Sequence, residues 1–156
     1  MPLKHHFGRR ASIAEAFVDA GDPLLTTLFL GKAVGSERLY ASIDVLQPGA
    51  KSCKFHSHSE QEEFFYILKG SCTLRFGDET TTVQAGDFIS KPAGQGIAHQ
   101  FINDSDDIVE LLDIGLKSGS DKIFYPDEGV TYEPATQTVC DKDGNPRTDW
   151  TSDANG

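Results

Sequence analysis

The residues best suited to chemistry lie in one run, His56-Ser57-His58-Ser59-Glu60-Gln61-Glu62-Glu63. His56 and His58 are two apart, so a strand would turn both imidazoles to one face, about 7 Å apart along the backbone. Two rings so placed can converge on one ion. A carboxylate a few residues on and a third histidine from another strand would complete a nitrogen and oxygen donor set. Such a set suits manganese, iron, cobalt, nickel, copper or zinc. Taken alone, the His-x-His pair fits two exposed polar residues equally well.

The elements that must carry this run read as β-structure. Leu39, Ala41, Ile43 and Val45 alternate with polar or differently facing residues before Gln47-Pro48-Gly49. Phe64 to Leu68 is an aromatic-rich apolar run ended by Lys69-Gly70. Cys72, Leu74 and Phe76 alternate up to Gly77-Asp78-Glu79, and Thr80 to Gln84 runs to Ala85-Gly86-Asp87. Phe88-Ile89, His99 to Ile102 and Ile108 to Leu116 follow, separated by a Pro/Gly-rich loop and by Asn103 to Asp107. Short strands with turn signals every eight to twelve residues or so indicate an all-β sandwich or barrel. Residues 36–116 are expected to form it.

The flanks differ. In residues 1–35, Ser12 is placed to cap a helix with Glu15 three positions on and Ile13, Ala16 and Phe17 on its buried face. Gly21-Asp22-Pro23 ends that helix, and Leu24 to Leu30 is expected as a strand. Residues 117–156 are acidic and rich in Gly, Asp and Thr. Their one apolar cluster, Ile123 to Pro126, is expected to pack on the barrel or on a second subunit. Order beyond about Glu133 is not specified by pattern, although Trp150 argues for a packed position. Asp141-Lys142-Asp143-Gly144-Asn145 has the start of a calcium loop without its later acidic ligands, and is read as a turn. His5 and His6 are read as solvated.

Composition narrows the partners. Of 156 residues, 14 are basic and 24 acidic, a formal net charge of −10. Such a surface repels phosphate backbones and anionic bilayers, so neither nucleic acid nor a membrane is expected as a partner. No apolar window is long enough to span a bilayer, and the polar start does not read as a secretory signal. Three widely spaced cysteines, an odd number, suggest reduced thiols and a cytoplasmic setting.

Two spaced motifs resemble those of the cupin superfamily. In the first, Gly49 precedes His56-x-His58 by six residues, one more than is usual there. Four residues then lead to Glu63, and six more to Gly70. In the second, Gly86 is followed after five residues by Pro92-Ala93-Gly94. Four residues rather than two precede His99, and three more lead to Asn103. The resemblance covers Gly49 to Asn103 and implies a double-stranded β-helix, or jelly-roll. It also implies one divalent transition metal ion held by His56, His58, Glu63 and His99. Glu62 competes for the carboxylate role, but the distance to Gly70 and the strand alternation favour Glu63. Glu60 and Glu62 are then expected to face water or a subunit contact. Gly70 and Gly86 are expected at turns of positive φ, and Asn103 in a turn-stabilising role.

By strand parity Lys54, Phe65, Ile67 and Phe101 are expected to line a substrate pocket. Phe64, Tyr66 and Leu68 would form an outward apolar stripe suited to a homodimer. The resemblance leaves three functions open. Metal-dependent dioxygenation of a small organic molecule is slightly favoured, because a redox metal carries the difficult chemistry and the phenylalanines exclude water. Isomerisation or epimerisation of a sugar or keto acid is the alternative, and binding without turnover the third. A general acid or base is needed for catalysis. Lys54 and Tyr66 are near in sequence, but parity sends Tyr66 to the wrong face.

Overall fold

A computed structural model describes residues 6–156; His5 lies outside them. The strands are β1 (Val18–Asp19), β2 (Leu25–Leu28), β3 (Leu39–Leu46), β4 (Ser57–His58), β5 (Glu63–Lys69), β6 (Ser71–Phe76) and β7 (Glu79–Gln84). They continue as β8 (Phe88–Lys91), β9 (His99–Ile102), β10 (Val109–Leu116), β11 (Ile123–Tyr125), β12 (Val130–Glu133) and β13 (Thr138–Asp141). Every pairing between them is antiparallel. One sheet runs β1-β2-β3-β10-β5-β8, a second β7-β6-β9, and a third β13-β12-β11-β4. The segment before β4 links the last two, bridging Lys51 to Ile102 and His56 to His99. The result is a jelly-roll.

Alternation puts one face of each sheet into a shared core. Leu46, Phe65, Ile67, Val109 and Leu111 from the first sheet meet Cys72, Leu74, Val83 and Phe101 from the second. Glu63, Phe65 and Ile67 are buried along β5 while Phe64, Tyr66 and Leu68 stand outside. Turn chemistry closes the strands. Gly70 joins β5 to β6 at φ 81°, and an added Cβ would lie 2.8 Å from the Ile108 carbonyl oxygen, so this turn needs glycine. Asn103 is fully buried after β9; its Nδ2 donates to the carbonyls of Leu46 and Asp107, and its Oδ1 accepts from the Ser105 amide.

The N-terminal region departs from the expected helix. Arg10–Ser12 and Glu15–Phe17 are two separate 3-10 turns, and Ser12 lies inside the first instead of capping a helix. Ile13, between them, is extended, which breaks the run of four helical residues an α-turn requires. The expected strand from Leu24 shortens to β2, and Leu30–Ala33 forms a four-residue helix, α1. Buried Gly31 of α1 lies against Ala41, where a Cβ would come within 2.9 Å of the backbone. Arg10 makes a two-pronged contact with Glu110 at 2.6 and 2.7 Å. This arm therefore covers the outer face of β3 and part of β10.

The C-terminal region is ordered into β11, β12 and β13. Trp150 packs on Tyr125 and Tyr132, with ring centroids 4.6 and 6.2 Å away. The Asp141 segment is a turn, in which Asp141 Oδ1 accepts from the amides of Asp143 and Asn145. No helix among the described residues is long and apolar enough to cross a membrane. All three cysteines are free thiols.

Candidate metal centre

His56, His58 and Glu63 come together inside the barrel, with one ligand atom of each within 4.8 Å of the others. His58 ends β4 and Glu63 begins β5, so the loop 59–62 folds the carboxylate back beside the imidazole. His58 Nε2 lies 3.3 Å from Glu63 Oε1. His99, at the start of β9, forms a reciprocal backbone pair with His56 (2.8 and 3.2 Å) and brings its Nε2 to 3.8 Å from Glu63 Oε2. His99 also joins His56 in a second close trio with Cys53. All four expected ligands are buried. Glu62 is exposed on the opposite face, and exposed Glu60 accepts from Ser118 and Ser120.

The donor set fits a cation. His56 Nδ1 faces the Lys54 carbonyl at 2.7 Å, and His58 Nδ1 faces Asp121 Oδ2 at 2.5 Å. Each partner is an acceptor, so each Nδ1 carries the proton, and in the neutral rings both Nε2 atoms are bare. Those two atoms lie 3.0 Å apart. Two facing lone pairs at that separation repel unless a cation lies between or beside them. Burial, then the neighbouring His58, hold His56 down to about 4, so its ring stays an electron-pair donor at neutral pH. Burial and His56 likewise hold His99 well below the ordinary range. Burial pushes Glu63 up, but the contact with His58 and the positive charge that His99, His58 and Lys91 carry when protonated outweigh it and hold the carboxyl well below its usual range. Glu63 Oε2 and His99 Nδ1 are buried without hydrogen-bond partners. Lys91 Nζ is 3.1 Å from Glu63 Oε2 but out of line for a hydrogen bond.

The orienting residues come from outside the ligand motifs. Asp121 also accepts from the amides of Glu60 and Gln61, which fixes the carboxylate that fixes His58. The Tyr125 ring lies 5.6 Å from the His56 ring. Neither was expected from the sequence, where both sit in an acidic flank some 60 residues away with no motif to mark them.

A cavity of about 230 Å³ opens beside the ligands. Phe65 and Phe101 line it as expected, with ring centroids 5.0 Å apart. Ile67 is buried in the core and does not reach the wall. Lys54 is turned away, with Nζ 3.2 Å from Glu128 and 5.1 Å from the Trp150 ring. From Lys51 to His56 the chain advances five residues while its partner advances three, Ile102 to His99. This bulge breaks the two-residue alternation and brings Cys53 to the cavity in place of Lys54. The remaining wall is polar: Tyr40 and Asp44 of β3, Asp113 of β10, Ser52 and Gln61.

Tyr40 Oη is 3.0 Å from both Glu63 Oε1 and Asp113 Oδ1. Burial, then the Asp113 and Glu63 charges, keep the phenol protonated far above its usual range. Burial, then Glu63 and Asp44, push the Asp113 carboxyl well above its usual range. The one Tyr40 hydroxyl proton is therefore shared between the Asp113 and Glu63 carboxyls, which both accept from it. Gly115 leaves room for it, since a Cβ there would lie 2.4 to 2.5 Å from the Tyr40 ring and hydroxyl.

Fold and site together define a cupin, and the chain belongs to that superfamily; the cupin domain family matches residues 42–115. It is similar to a sugar phosphate isomerase of the cupin superfamily from Silicibacter pomeroyi, at 27% identity over 90% of this chain and 96% of that one, with a TM-score of 0.80. A similarly named structure from Acidithiobacillus ferrooxidans shares the fold at 23% identity, over 90% and 95% of the two chains, with a TM-score of 0.81. A cupin protein from Bacteroides fragilis is 30% identical over 60% of this chain and 78% of that one, with a TM-score of 0.53. Among curated proteins none matches the sequence significantly.

Proposed function

We propose that the protein is a metal-dependent isomerase that moves a proton next to a carbonyl group in a small hydroxylated molecule. The observation that carries this reading is Tyr40, whose hydroxyl stands 3.0 Å from a candidate ligand, Glu63, and 3.0 Å from a half-buried carboxyl, Asp113, on the wall of the cavity. The likeness to the sugar phosphate isomerase from Silicibacter pomeroyi agrees with it. Oxygenation, favoured from the sequence by the phenylalanine wall, leaves this row of acids without a task.

His56, His58, Glu63 and His99 would hold the ion. A divalent ion held there supplies a Lewis acid for a carbonyl or hydroxyl oxygen. Asp44 is the group suited to accept a proton from carbon: burial, partly offset by the Thr27 hydrogen bond, raises it to about 6, close to an ideal general base at neutral pH. In an aldose–ketose exchange the proton leaves one carbon and returns to its neighbour, while a second proton moves between the two oxygens. The Asp113–Tyr40 pair stores and returns that second proton. Phe65, Phe101 and Leu111 form the apolar part of the wall.

The test uses zinc-loaded protein under exclusion of oxygen, with aldoses and ketoses in deuterated water. Deuterium entering the carbon beside the carbonyl, lost in Asp44→Asn and slowed in Tyr40→Phe at unchanged metal content, is the expected result. Turnover only with a redox metal and oxygen would support oxygenation instead.

A further inference from the structure

We infer that the cavity takes a small uncharged polyhydroxy carbonyl compound and rejects its phosphate ester, an inference that rests on the isomerase reading and narrows its substrate. The wall offers the carboxyls of Asp44, Glu63 and Asp113 and the neutral hydrogen-bonding groups of Tyr40, Ser52 and Gln61. Among the described residues no lysine or arginine lines it.

The ion that the four ligands would hold serves the carbonyl end of the substrate, so a terminal phosphate needs a second cation, an arginine fork or a row of amides at a helix start. Each side-chain cation nearby is already paired with a carboxylate. Lys91, 2% exposed, is spent on Glu63 at 3.1 Å. Lys54 turns outward to Glu128, and Arg75 grips Asp127 at 2.6 and 2.9 Å across the Phe55 ring. The only α-helix among the described residues, α1, is four residues long and lies against Ala41 on the outer face of the sheet. A phosphate dianion brought into this space would shed water and meet carboxyl groups in return.

Hydroxyl groups match the wall. The carboxyl oxygens accept from O–H donors, and the Ser52 hydroxyl and the Gln61 amide can both donate and accept. The volume also selects for size. About 230 Å³ is the share of roughly seven or eight waters, enough for a molecule of a few carbons but little more. The net charge of −10 further lowers the local concentration of anions.

Calorimetric titration of the zinc-loaded protein decides the matter, with free pentoses and hexoses set against their terminal phosphate esters and a parallel thermal-shift series. Each free sugar that binds is expected to do so at least tenfold more tightly than its own ester, with a matching rise in melting temperature. An ester that binds as tightly as its parent, or more tightly, overturns the inference and leaves the isomerase reading intact. Free sugars that bind selectively but take up no deuterium support the ligand class and remove the isomerase. If neither class binds, both readings fail.

Discussion

His56 and His58 point bare Nε2 atoms at each other across 3.0 Å while the Lys54 carbonyl and the Asp121 carboxylate occupy their Nδ1 protons. A shared cation resolves that conflict. Elemental analysis of protein purified without chelator should therefore find up to about one first-row metal ion per chain. His58→Ala should lose most of it, and Glu63→Gln should weaken binding while Glu62→Gln leaves it alone. Retention of the ion with both His58 and His99 changed would disprove the assignment.

Asp121 should matter to metal affinity out of proportion to its distance in sequence. Asp121→Asn keeps the shape but loses the charge that orients and enriches His58. Orienting partners of this kind are typically worth 10–100-fold in metal affinity. Competition with a calibrated chelator measures it, and an affinity unchanged within twofold would show that His58 orients itself.

Asp44 gives the metal-free protein a predictable pH dependence. Its folded-state value, about 6, exceeds the ordinary 3.8, so the folded form binds this proton more tightly than the unfolded chain. The stabilisation is complete below about pH 4 and is lost as pH rises through 6. A shift near two units corresponds to at most about 3 kcal/mol, and partial exposure reduces it to about 1–3 kcal/mol. Asp44→Asn should be more stable than wild type by that amount at pH 8 and converge with it near pH 4. Urea melts in the presence of chelator at the two pH values check this, and a gap independent of pH would contradict it.

Among the described residues nothing covers the stripe expected to form a homodimer. Phe64, Tyr66, Leu68 and Phe88 are 40%, 37%, 40% and 69% exposed, with Phe64 and Phe88 stacked at 6.3 Å. The N-terminal arm covers the β3 side of this face and the β11 cluster packs elsewhere, with Tyr125 buried and Phe124 exposed. We propose that a second copy covers the stripe. Sedimentation equilibrium should give a dimer at micromolar concentration and a metal-binding monomer for Phe88→Glu. A wild-type monomer under those conditions would end the idea.

The grouping of His56, His58 and Glu63 was legible because its spacing is local: the three fall within eight residues, and β5 keeps strict alternation. The acid–base row was not. In β3 the apolar residues Leu39, Ala41, Ile43 and Val45 draw the eye as the buried face, yet they face outward, where the N-terminal arm shelters part of them. The intervening Tyr40, Ser42 and Asp44 face the interior, where Tyr40 and Asp44 reach the cavity. An enclosed polar site inverts the usual rule that alternation buries its apolar half. Lys54 was misplaced for a different reason, since a bulge leaves no mark in the pattern of hydrophobicity. The N-terminal helix signal was a correct local preference that two short turns satisfied differently.

The candidate metal ligands lie within the family's span of residues 42–115, but two of the groups that contact them do not. Asp121 aims His58, and Tyr125, backed by Trp150, lies against His56. A chain cut where the family ends would keep all four donors and lose the supports that set their angles. In such a fragment the barrel's architecture and its chemistry would part company. The family's span ends at residue 115, while the contacts around the candidate centre extend ten residues further, to Tyr125. Differences in metal affinity among cupins of similar ligand sequence can therefore arise in segments that an alignment of the barrel alone would discard.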